Sequence, residues 1–394
     1  MALLAAGAAS VPALAATTGT ATLTANDGAA FDGLGQSAAI SRNGNVAIVG
    51  SPGHNSSAGA AYIFTKAGQT FSQTAELTPP STDSGDQLGT SVAISGDGQT
   101  AVAGADLADN NTGAAFVFSD RSGTFTQIAK LVGTGALQGD EEGMSVAISA
   151  DASTIVVTAP FSNGDDGAAF VFTKSGGTYK QVQELTVQTS GIDLLGFDAA
   201  VSSDGSTIVL GAPIANNQAG FAEVFTKSGA TWKQTAQLVG NNTAAGDNFG
   251  FTVAVSGSGT TVAAGSPSSN GNDGSAYVFT KSGGTFTQAS QVLPPAGTTS
   301  GAQAGQSVGI SSDGSVVAIG AGGQNQDAGA VFVATKKMGT FAVTATDTAP
   351  NPAPGDELGF TNVSTAVAGD GSAIISGARG ANGQIGAAFV FPVS

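Results

Sequence analysis

Short runs of apolar residues, interrupted by Gly, Asp and Asn, follow one another along the whole chain. In a representative run, Leu88–Ser95, the side chains of Val92 and Ile94 lie on one face and small residues lie on the other. Both faces are small or apolar, as in a strand that is covered on both sides. No stretch has the periodicity of a helix. The pattern therefore predicts an all-β protein.

The runs recur with a nearly constant spacing, and a glycine that follows Leu or Phe in the clearest copies marks each one. These glycines are Gly35, Gly89, Gly143, Gly196, Gly250, Gly305 and Gly359, so that subtracting neighbours gives spacings of 54, 54, 53, 54, 55 and 54 residues. Seven copies separated by six nearly equal steps indicate a repeat architecture.

Each of the first six repeats contains signals for four strands. In the second copy, Asp97 and Gly98 follow the first strand, and we expect them to supply the positive φ angles of a two-residue hairpin. A second strand, a polar loop, a third strand with two aromatic residues (Gly113–Phe118) and an alternating outer strand (Phe125–Leu131) complete the unit. Four antiparallel strands form a blade, and seven such repeats predict a seven-bladed β-propeller.

The seventh repeat has no fourth strand of its own. The leucine of an outer strand precedes the second anchor glycine by twelve residues, and Leu23 precedes Gly35 by the same number. We therefore expect the β-prone stretch Thr18–Ala25 to pair with Ala387–Phe391 and to close the last blade.

The N-terminal stretch Met1–Ala16 is apolar and ends in small residues, although it lacks a basic start. It predicts a signal peptide, with an Ala-rich disordered tail as the alternative. The expected organisation is thus a signal peptide at 1–16 and a single propeller at 17–394, secreted or on the cell surface. No other segment approaches the roughly 20 apolar residues of a transmembrane helix.

Composition narrows the range of partners. Only 10% of the residues are charged and the net charge is −16, which disfavours nucleic acid and anionic lipid as partners. The chain has no cysteine, so disulfides, thiolate metal sites and cysteine nucleophiles are excluded. A protein or a neutral glycan fits this composition as a partner, and the oligomeric state stays open.

The repeat resembles that of the FG-GAP family, the propeller of integrin α subunits and many bacterial exported proteins. Phe249-Gly250, Leu358–Phe360 and Gly211–Pro213 carry the resemblance, which extends over Leu23–Ser394. Family members that bind calcium use an Asp-rich hairpin between the first and second strands. Here that hairpin offers one carboxylate, such as Asp97, so we expect no cofactor and no calcium site of this kind, a cation bound elsewhere being the alternative.

The resemblance implies that the loops between strands two and three share one face with the loops that join the blades. The ligand-binding residues expected on this acidic face are Asp109, Asn110, Asn111, Asp165, Asp166, Asn272 and Asp273. A second set of carboxylates precedes the anchors: Asp32, Asp86, Asp140, Asp193, Asp247 and Asp356. We expect this set to cap backbone amides, a ring of carboxylates around a cation being the alternative.

Positions that break the repeat are further candidates for function. Glu223 stands where the other third strands carry Tyr or Phe, and we expect it to reach the rim, pair with Lys233 or contact a ligand. The single histidine, His54, lies in a polar loop and is expected to be solvated. Trp232 replaces Phe on an outer strand.

No motif for catalysis stands in the context that it requires. The leading hypothesis is an exported, non-enzymatic propeller that binds a protein or glycan through its acidic loop face, in adhesion or surface assembly. A polysaccharide hydrolase or lyase with carboxylates at the channel mouth is the first alternative. A purely structural surface subunit is the second.

Overall fold

The computed structural model describes residues 16–18, 21–187 and 191–393. The predicted signal peptide therefore lies almost entirely outside the described residues, and its cleavage stays a prediction. In the part of the chain that is described, no helix is both long and apolar enough to cross a membrane.

Seven sheets form the predicted β-propeller, and all strand pairs in them are antiparallel except one, between Ala16–Thr18 and Thr340–Thr348. The N-terminal strands are β1 (Ala16–Thr18) and β2 (Ala21–Leu23). Blades one to three contain β3 (Ser37–Ile40), β4 (Val46–Ser51), β5 (Ala60–Ala67) and β6 (Thr70–Leu77); β7 (Val92–Ile94), β8 (Thr100–Ala105), β9 (Ala114–Asp120) and β10 (Phe125–Leu131); and β11 (Val146–Ile148), β12 (Thr154–Ala159), β13 (Ala168–Ser175) and β14 (Thr178–Leu185).

The remaining blades repeat this order. Blades four to seven contain β15 (Ala199–Val201), β16 (Thr207–Ala212), β17 (Phe221–Ser228) and β18 (Thr231–Leu238); β19 (Val253–Val255), β20 (Thr261–Ser266), β21 (Ser275–Ser282) and β22 (Thr285–Val292); β23 (Ser307–Ile310), β24 (Val316–Gly320), β25 (Val331–Lys337) and β26 (Thr340–Thr348); and β27 (Thr365–Val367), β28 (Ala373–Ala378) and β29 (Ala387–Pro392). The first strands of successive blades contact one another in a closed circle, from β3 through β27 and back to β3.

The last blade is closed by the N-terminal strand, as predicted. Strand β2 pairs antiparallel with β29, and Leu23 lies opposite Ala388. Leu23 is 1% exposed and packs between the seventh and first blades. Strand β1 pairs with β26 in parallel and adds a fifth strand to the sixth blade.

Among the described residues, the core consists of seven separate apolar clusters, each of which lies between two neighbouring blades. The paired aromatic residues of the third strands belong to these clusters, as expected; Phe116 and Phe118, for example, are 0% and 2% exposed. Glycine is required at the anchors because the backbone passes close to the preceding blade. A Cβ on Gly89, whose φ is 92°, would lie 2.4 Å from the carbonyl oxygen of Ala60.

The hairpins between first and second strands differ in one detail from the prediction. Of the Asp97–Gly98 pair only Gly98 has a positive φ, at 75°, so the predicted turn with two positive φ angles is not formed. The turn is closed instead by a hydrogen bond from the Gly98 N–H to the Ser95 carbonyl. Oδ1 of Asp97 accepts the Gln99 N–H at 3.0 Å, which explains why a turn-forming residue recurs here.

The polar loops between second and third strands form short left-handed turns. These four-residue elements are His54–Ser57, Ala108–Asn111, Ser162–Asp165, Ala215–Gln218, Ser269–Asn272, Gln324–Asp327 and Ala381–Gln384. Their second and third residues have positive φ; Asp109 and Asn110, for instance, have φ angles of 52° and 61°. Asn, Asp and Gly tolerate this conformation better than other residues. The backbone thus accounts for the loop composition without any ligand.

Candidate functional site

The left-handed turns and the loops that join the blades form one face of the ring. Backbone carbonyls of each turn accept hydrogen bonds from the blade connection that follows. The carbonyl of Asn111 accepts the N–H groups of Gly139 and Glu141, and that of Asp165 accepts the N–H of Leu194. The expected shared face is therefore present, and it is called the loop face below.

A cavity of about 590 Å³ opens on the loop face between the seventh blade and the first three blades. Its polar lining includes Gln36, Asp32, Asp106, Glu357 and Arg379. The volume lies within the range of roughly 300–1,000 Å³ that is usual for small-molecule sites.

Arg379 is held in place within this lining. Its Nε donates to Oε2 of Glu357 at 2.6 Å, and its Nη1 donates to Oε1 of Gln36 at 3.1 Å. The guanidinium carbon also lies 4.9 Å from the ring centre of Phe360. These contacts hold the guanidinium of Arg379, the one cationic group among the residues that line the cavity. They also pair it with the carboxylate of Glu357.

Asp106 supplies a second kind of carboxylate. Its Oδ1 accepts the hydroxyl of Thr90 at 2.8 Å. Burial raises the pKa of Asp106, whereas the Thr90 hydroxyl and nearby backbone N–H groups lower it. Burial, and then the charge of Asp106, raise the pKa of the neighbouring Glu141. The cavity therefore has acidic walls, which disfavour an anionic ligand.

None of the ligand-binding residues expected from the sequence lines this cavity. Asp109, Asn110, Asn111 and Asn272 are exposed, and Asp165, Asp166 and Asp273 are partly exposed. Asp109 forms an ion pair with Lys130 at 2.6 Å, and Oδ1 of Asp273 accepts the Gly301 N–H at 2.8 Å. The loop face keeps them on one side of the ring but distributes them over three blades, and their role in binding stays a prediction.

Glu223 neither reaches the rim nor pairs with Lys233. Its side chain is 0% exposed, and its two oxygens accept hydrogen bonds from Gln234 at 3.0 Å and Gln237 at 2.8 Å. Burial raises the pKa of Glu223, and the two glutamine donors lower it. The glutamines of the outer strand provide the partners that let this carboxyl replace an aromatic ring.

All six carboxylates that precede the anchors were expected to cap backbone amides, and five of them have the same capping contact. In each, Oδ2 accepts the N–H of the residue three positions earlier at 2.7–2.8 Å: Asp32 from Ala29, Asp86 from Asp83, Asp140 from Leu137, Asp247 from Ala244, and Asp356 from Ala353. This contact explains the repetition without a ligand.

His54 is buried, and the expectation that it is solvated was wrong. It is 6% exposed, and its Nδ1 lies 3.0 Å from Oδ2 of Asp32. On the other side of the ring, Nε2 lies 3.7 Å from Oδ2 of Asp27 and 3.6 Å from Oε1 of Glu76. The imidazole and the ring of Tyr62 pack nearly perpendicular to each other, with ring centres 5.9 Å apart. His54 thus lies among three carboxylates.

Trp232 has a structural role in the outer layer of the fourth blade. It is 2% exposed, and its Nε1 donates to the carbonyl of Gly205 at 3.0 Å. The ammonium group of Lys227 lies 4.6 Å from the centre of its ring system. The recurring lysine of these hairpins therefore covers an aromatic ring as well as facing water.

Two buried acids escaped the sequence analysis. Asp198 stands where other inner strands carry Ser or Thr, and accepts the Ser145 hydroxyl at 2.9 Å and the Val253 N–H at 2.8 Å. Burial raises the pKa of Asp198 to about 7, despite these donors. Burial likewise raises the pKa of Glu142, at a position otherwise occupied by Leu or Phe in most repeats, to about 7. A register-by-register comparison of the repeats would have found both.

Comparison with known proteins supports the repeat assignment. The profile of the FG-GAP repeat family matches residues 17–64, 71–118, 125–172 and 232–279. No curated protein sequence matches the chain. Among solved structures, hydrazine synthase of Kuenenia stuttgartiensis is similar, with a TM-score of 0.64 and 13% identity over 94% of this chain and 98% of that chain. At this identity the likeness shows the fold alone.

Proposed function

The chain is a seven-bladed β-propeller with FG-GAP repeats, and from this premise we propose that it is a non-enzymatic binding protein of the cell exterior. Its ligand is a neutral glycan, held in the cavity of the loop face, and its role is adhesion or surface assembly. The rigid ring of blades supports this proposal, because loops on a fixed scaffold provide a preformed site.

The observation that carries the proposal is the position of Phe31 at the cavity rim. Phe31 lines the cavity, yet it is 74% exposed and has a φ of 73°. A bulky residue rarely adopts a positive φ, and an exposed aromatic ring in such a conformation has an energetic cost. Stacking of a sugar ring on Phe31 would use a surface that the fold itself leaves uncovered.

The polar lining supports a ligand that carries hydroxyl groups. Gln36 and Glu357 present amide and carboxylate groups, and both are oriented by Arg379. The amide of Gln36 can donate hydrogen bonds to hydroxyls and accept them, and the carboxylate of Glu357 can accept them. The net charge of −16 disfavours a sulfated or uronic-acid-rich chain.

A glycan array probed with the purified chain, followed by calorimetry on the best neutral oligosaccharide, tests this proposal. Phe31→Ala should weaken binding by about tenfold or more, because it removes the stacking surface. Leu137→Ala is the matched control, since Leu137 is a 68% exposed apolar residue of another blade connection and does not line the cavity.

Three outcomes would contradict the proposal. The array could show no neutral glycan, or Phe31→Ala could bind as tightly as the unchanged chain. Progressive shortening of the oligosaccharide during the titration would show hydrolysis instead of simple binding. That result would favour the alternative in which carboxylates of the channel mouth act on a polysaccharide.

A further inference from the structure

A cluster of potential metal ligands lies where the ring closes, outside the cavity described above except for Asp32. Nε2 of His54 and one carboxylate oxygen each from Asp27 and Glu76 all lie within 4.8 Å of one another. The distances from Nε2, 3.7 Å to Asp27 and 3.6 Å to Glu76, are too long for hydrogen bonds. The three groups therefore converge on a common space, and Nε2 forms no hydrogen bond with either carboxylate.

The imidazole is oriented so that Nε2 is available as a ligand. Nδ1 lies 3.0 Å from Asp32, whose Oδ2 is itself fixed by the N–H of Ala29. A carboxylate at this position holds the proton on Nδ1 and leaves the lone pair of Nε2 free. Metal-binding histidines commonly have this arrangement, in which the second carboxylate sets the tautomer and raises ligand basicity.

A second observation at the same place concerns Tyr62. Its side chain is 0% exposed, and its hydroxyl has no hydrogen-bond partner of normal geometry among the described residues. Burial, followed by the charges of Asp27 and Glu76 and a loose hydrogen-bonding contact with the Asp27 carboxylate, raises the pKa of Tyr62, so the hydroxyl lies beside the same carboxylates. A buried hydroxyl without a partner has a free-energy cost. A water molecule held by a metal ion in this space would supply the missing partner.

The cluster is confined to the first repeat. At the position of His54 the other repeats carry small or amide residues: Ala108, Ser162, Ala215, Ser269, Gln324 and Ala381. Within the described chain no Lys or Arg forms an ion pair with Asp27, Asp32 or Glu76. Turn geometry and strand packing recur in every repeat. They therefore do not explain why a single repeat has a histidine among three carboxylates.

We propose that Asp27, His54 and Glu76 bind one divalent transition-metal ion, with Zn²⁺ as the best fit. Zinc binds imidazole nitrogen and carboxylate oxygen at about 2.0–2.2 Å, so that tetrahedral ligands lie roughly 3.3–3.5 Å apart. The observed distances of 3.7 and 3.6 Å exceed this value by a few tenths of an ångström. Ca²⁺ and Mg²⁺ prefer more oxygen ligands and no imidazole, and they fit the cluster less well.

The ion would fasten the ring at its seam. Asp27 belongs to the N-terminal closing segment (Ala21–Asp32), which contains β2 and leads into the first blade, whereas His54 and Glu76 belong to the first blade itself. Strand β2 completes the seventh blade, so a metal bound by these three residues joins the two blades that hold the chain ends together. This inference does not depend on the proposed glycan.

Nitrogen NMR of the tag-free chain tests the site directly, because the chain has one histidine. Addition of ZnCl₂ to protein freed of metal with a chelator should shift the Nε2 resonance of His54 and leave Nδ1 protonated. Calorimetry should give one Zn²⁺ per chain, weaker binding of Mg²⁺ and Ca²⁺, and a melting temperature that rises with Zn²⁺ concentration.

Conservative variants identify the carboxylate ligands. Asp27→Asn and Glu76→Gln should each weaken Zn²⁺ binding by about tenfold or more, since each replaces an anionic ligand by a neutral one. Glu184→Gln is the matched control, because Glu184 has the register of Glu76 in the third blade, opposite Phe170, and has no histidine beside it. Its affinity for Zn²⁺ should be unchanged.

The proposal is overturned if millimolar Zn²⁺ leaves the imidazole resonances unchanged. It is equally overturned if Asp27→Asn and Glu76→Gln bind Zn²⁺ as well as Glu184→Gln does, or if Ca²⁺ binds and Zn²⁺ does not. In those cases His54 is a buried histidine that is paired only with carboxylates.

Discussion

Nδ1 of His54 lies 3.0 Å from Oδ2 of Asp32, and the same oxygen accepts the N–H of Ala29 at 2.8 Å. The corresponding carboxylates of other repeats, such as Asp86 and Asp247, have the backbone contact, and in them a small residue stands in the place of His54. Asp32 therefore closes a turn, as its counterparts do, and in addition contacts His54 where the ring closes. The repeated sequence pattern identifies the turn contact, whereas the contact with His54 is visible only in the folded structure.

Replacing Asp32 should cost more than replacing its counterpart Asp247. Asp32→Ala removes the acceptor of the Ala29 N–H and also leaves Nδ1 of a buried imidazole without a partner, whereas Asp247→Ala removes only the acceptor of Ala244. The additional loss should be about 1–3 kcal/mol in the free energy of unfolding. Urea denaturation in the presence of a chelator measures both variants, and equal losses would show that the His54 contact contributes nothing.

Stability should fall as the pH rises towards neutrality, and Glu142 should contribute to this fall. Burial raises the pKa of Glu142 from 4.5 to about 7, so the folded state holds this proton more tightly than the unfolded state. Its contribution is complete below about pH 4.5 and is lost as the pH rises through about 7. Glu142→Gln keeps an acceptor for the Gly133 N–H and removes the charge.

The melting temperature of Glu142→Gln, relative to the unchanged chain, should therefore be higher at about pH 8 than at about pH 4. Asp327→Asn, at an exposed position of the sixth blade, serves as the control and should show no such gain. A Glu142→Gln profile parallel to that of the unchanged chain would mean that Glu142 ionises in the folded state without cost.

The sequence predicts the ring well because the same physical requirements apply in each of the seven repeats. A glycine such as Gly89, where a Cβ would meet a backbone oxygen, must recur, and so must the turn acids and the aromatic pairs. The same averaging hides single substitutions. Glu142 and Asp198 each replace one residue of a repeated set, and the partners that make them tolerable come from other blades or from connecting loops. No local sequence pattern predicts those partners.

Asp198 should be a structural link between three blades. It accepts hydrogen bonds from the hydroxyl of Ser145, at the inner end of the third blade, and from the N–H of Val253 in the fifth blade. Asp198→Ala leaves both donors buried without an acceptor and should lower the free energy of unfolding by about 2–4 kcal/mol. Ser91→Ala, which removes only the acceptor of the Val146 N–H, is the comparison and should cost less. Similar losses in the two variants would contradict this role.

The left-handed turns offer a stabilising substitution. Gln326 has φ 60° and ψ 47°, and the equivalent residues in three other turns are Gly164, Gly271 and Gly383. A residue with a Cβ is strained in this region, so Gln326→Gly should raise the free energy of unfolding by about 0.5–1 kcal/mol. The reverse change, Gly271→Gln, should lower it by a similar amount. Opposite signs in thermal denaturation of the two variants are expected, and the same sign would refute the argument.

Closure of the ring should depend on Leu23 more than on any exposed residue of β2. Leu23 is 1% exposed, lies opposite Ala388 and fills the cluster between the seventh and first blades. Leu23→Ala removes apolar contacts and leaves a cavity, which should cost about 2–5 kcal/mol. Thr22→Ala, at an exposed position of the same strand, is the control and should change the melting temperature little. The closing strand joins the chain ends, so Leu23→Ala should also make β29 exchange its amide protons faster while inner strands such as β11 stay protected. Equal melting temperatures for the two variants, or exchange that accelerates uniformly around the ring, would show that β2 lies against the seventh blade without holding it closed.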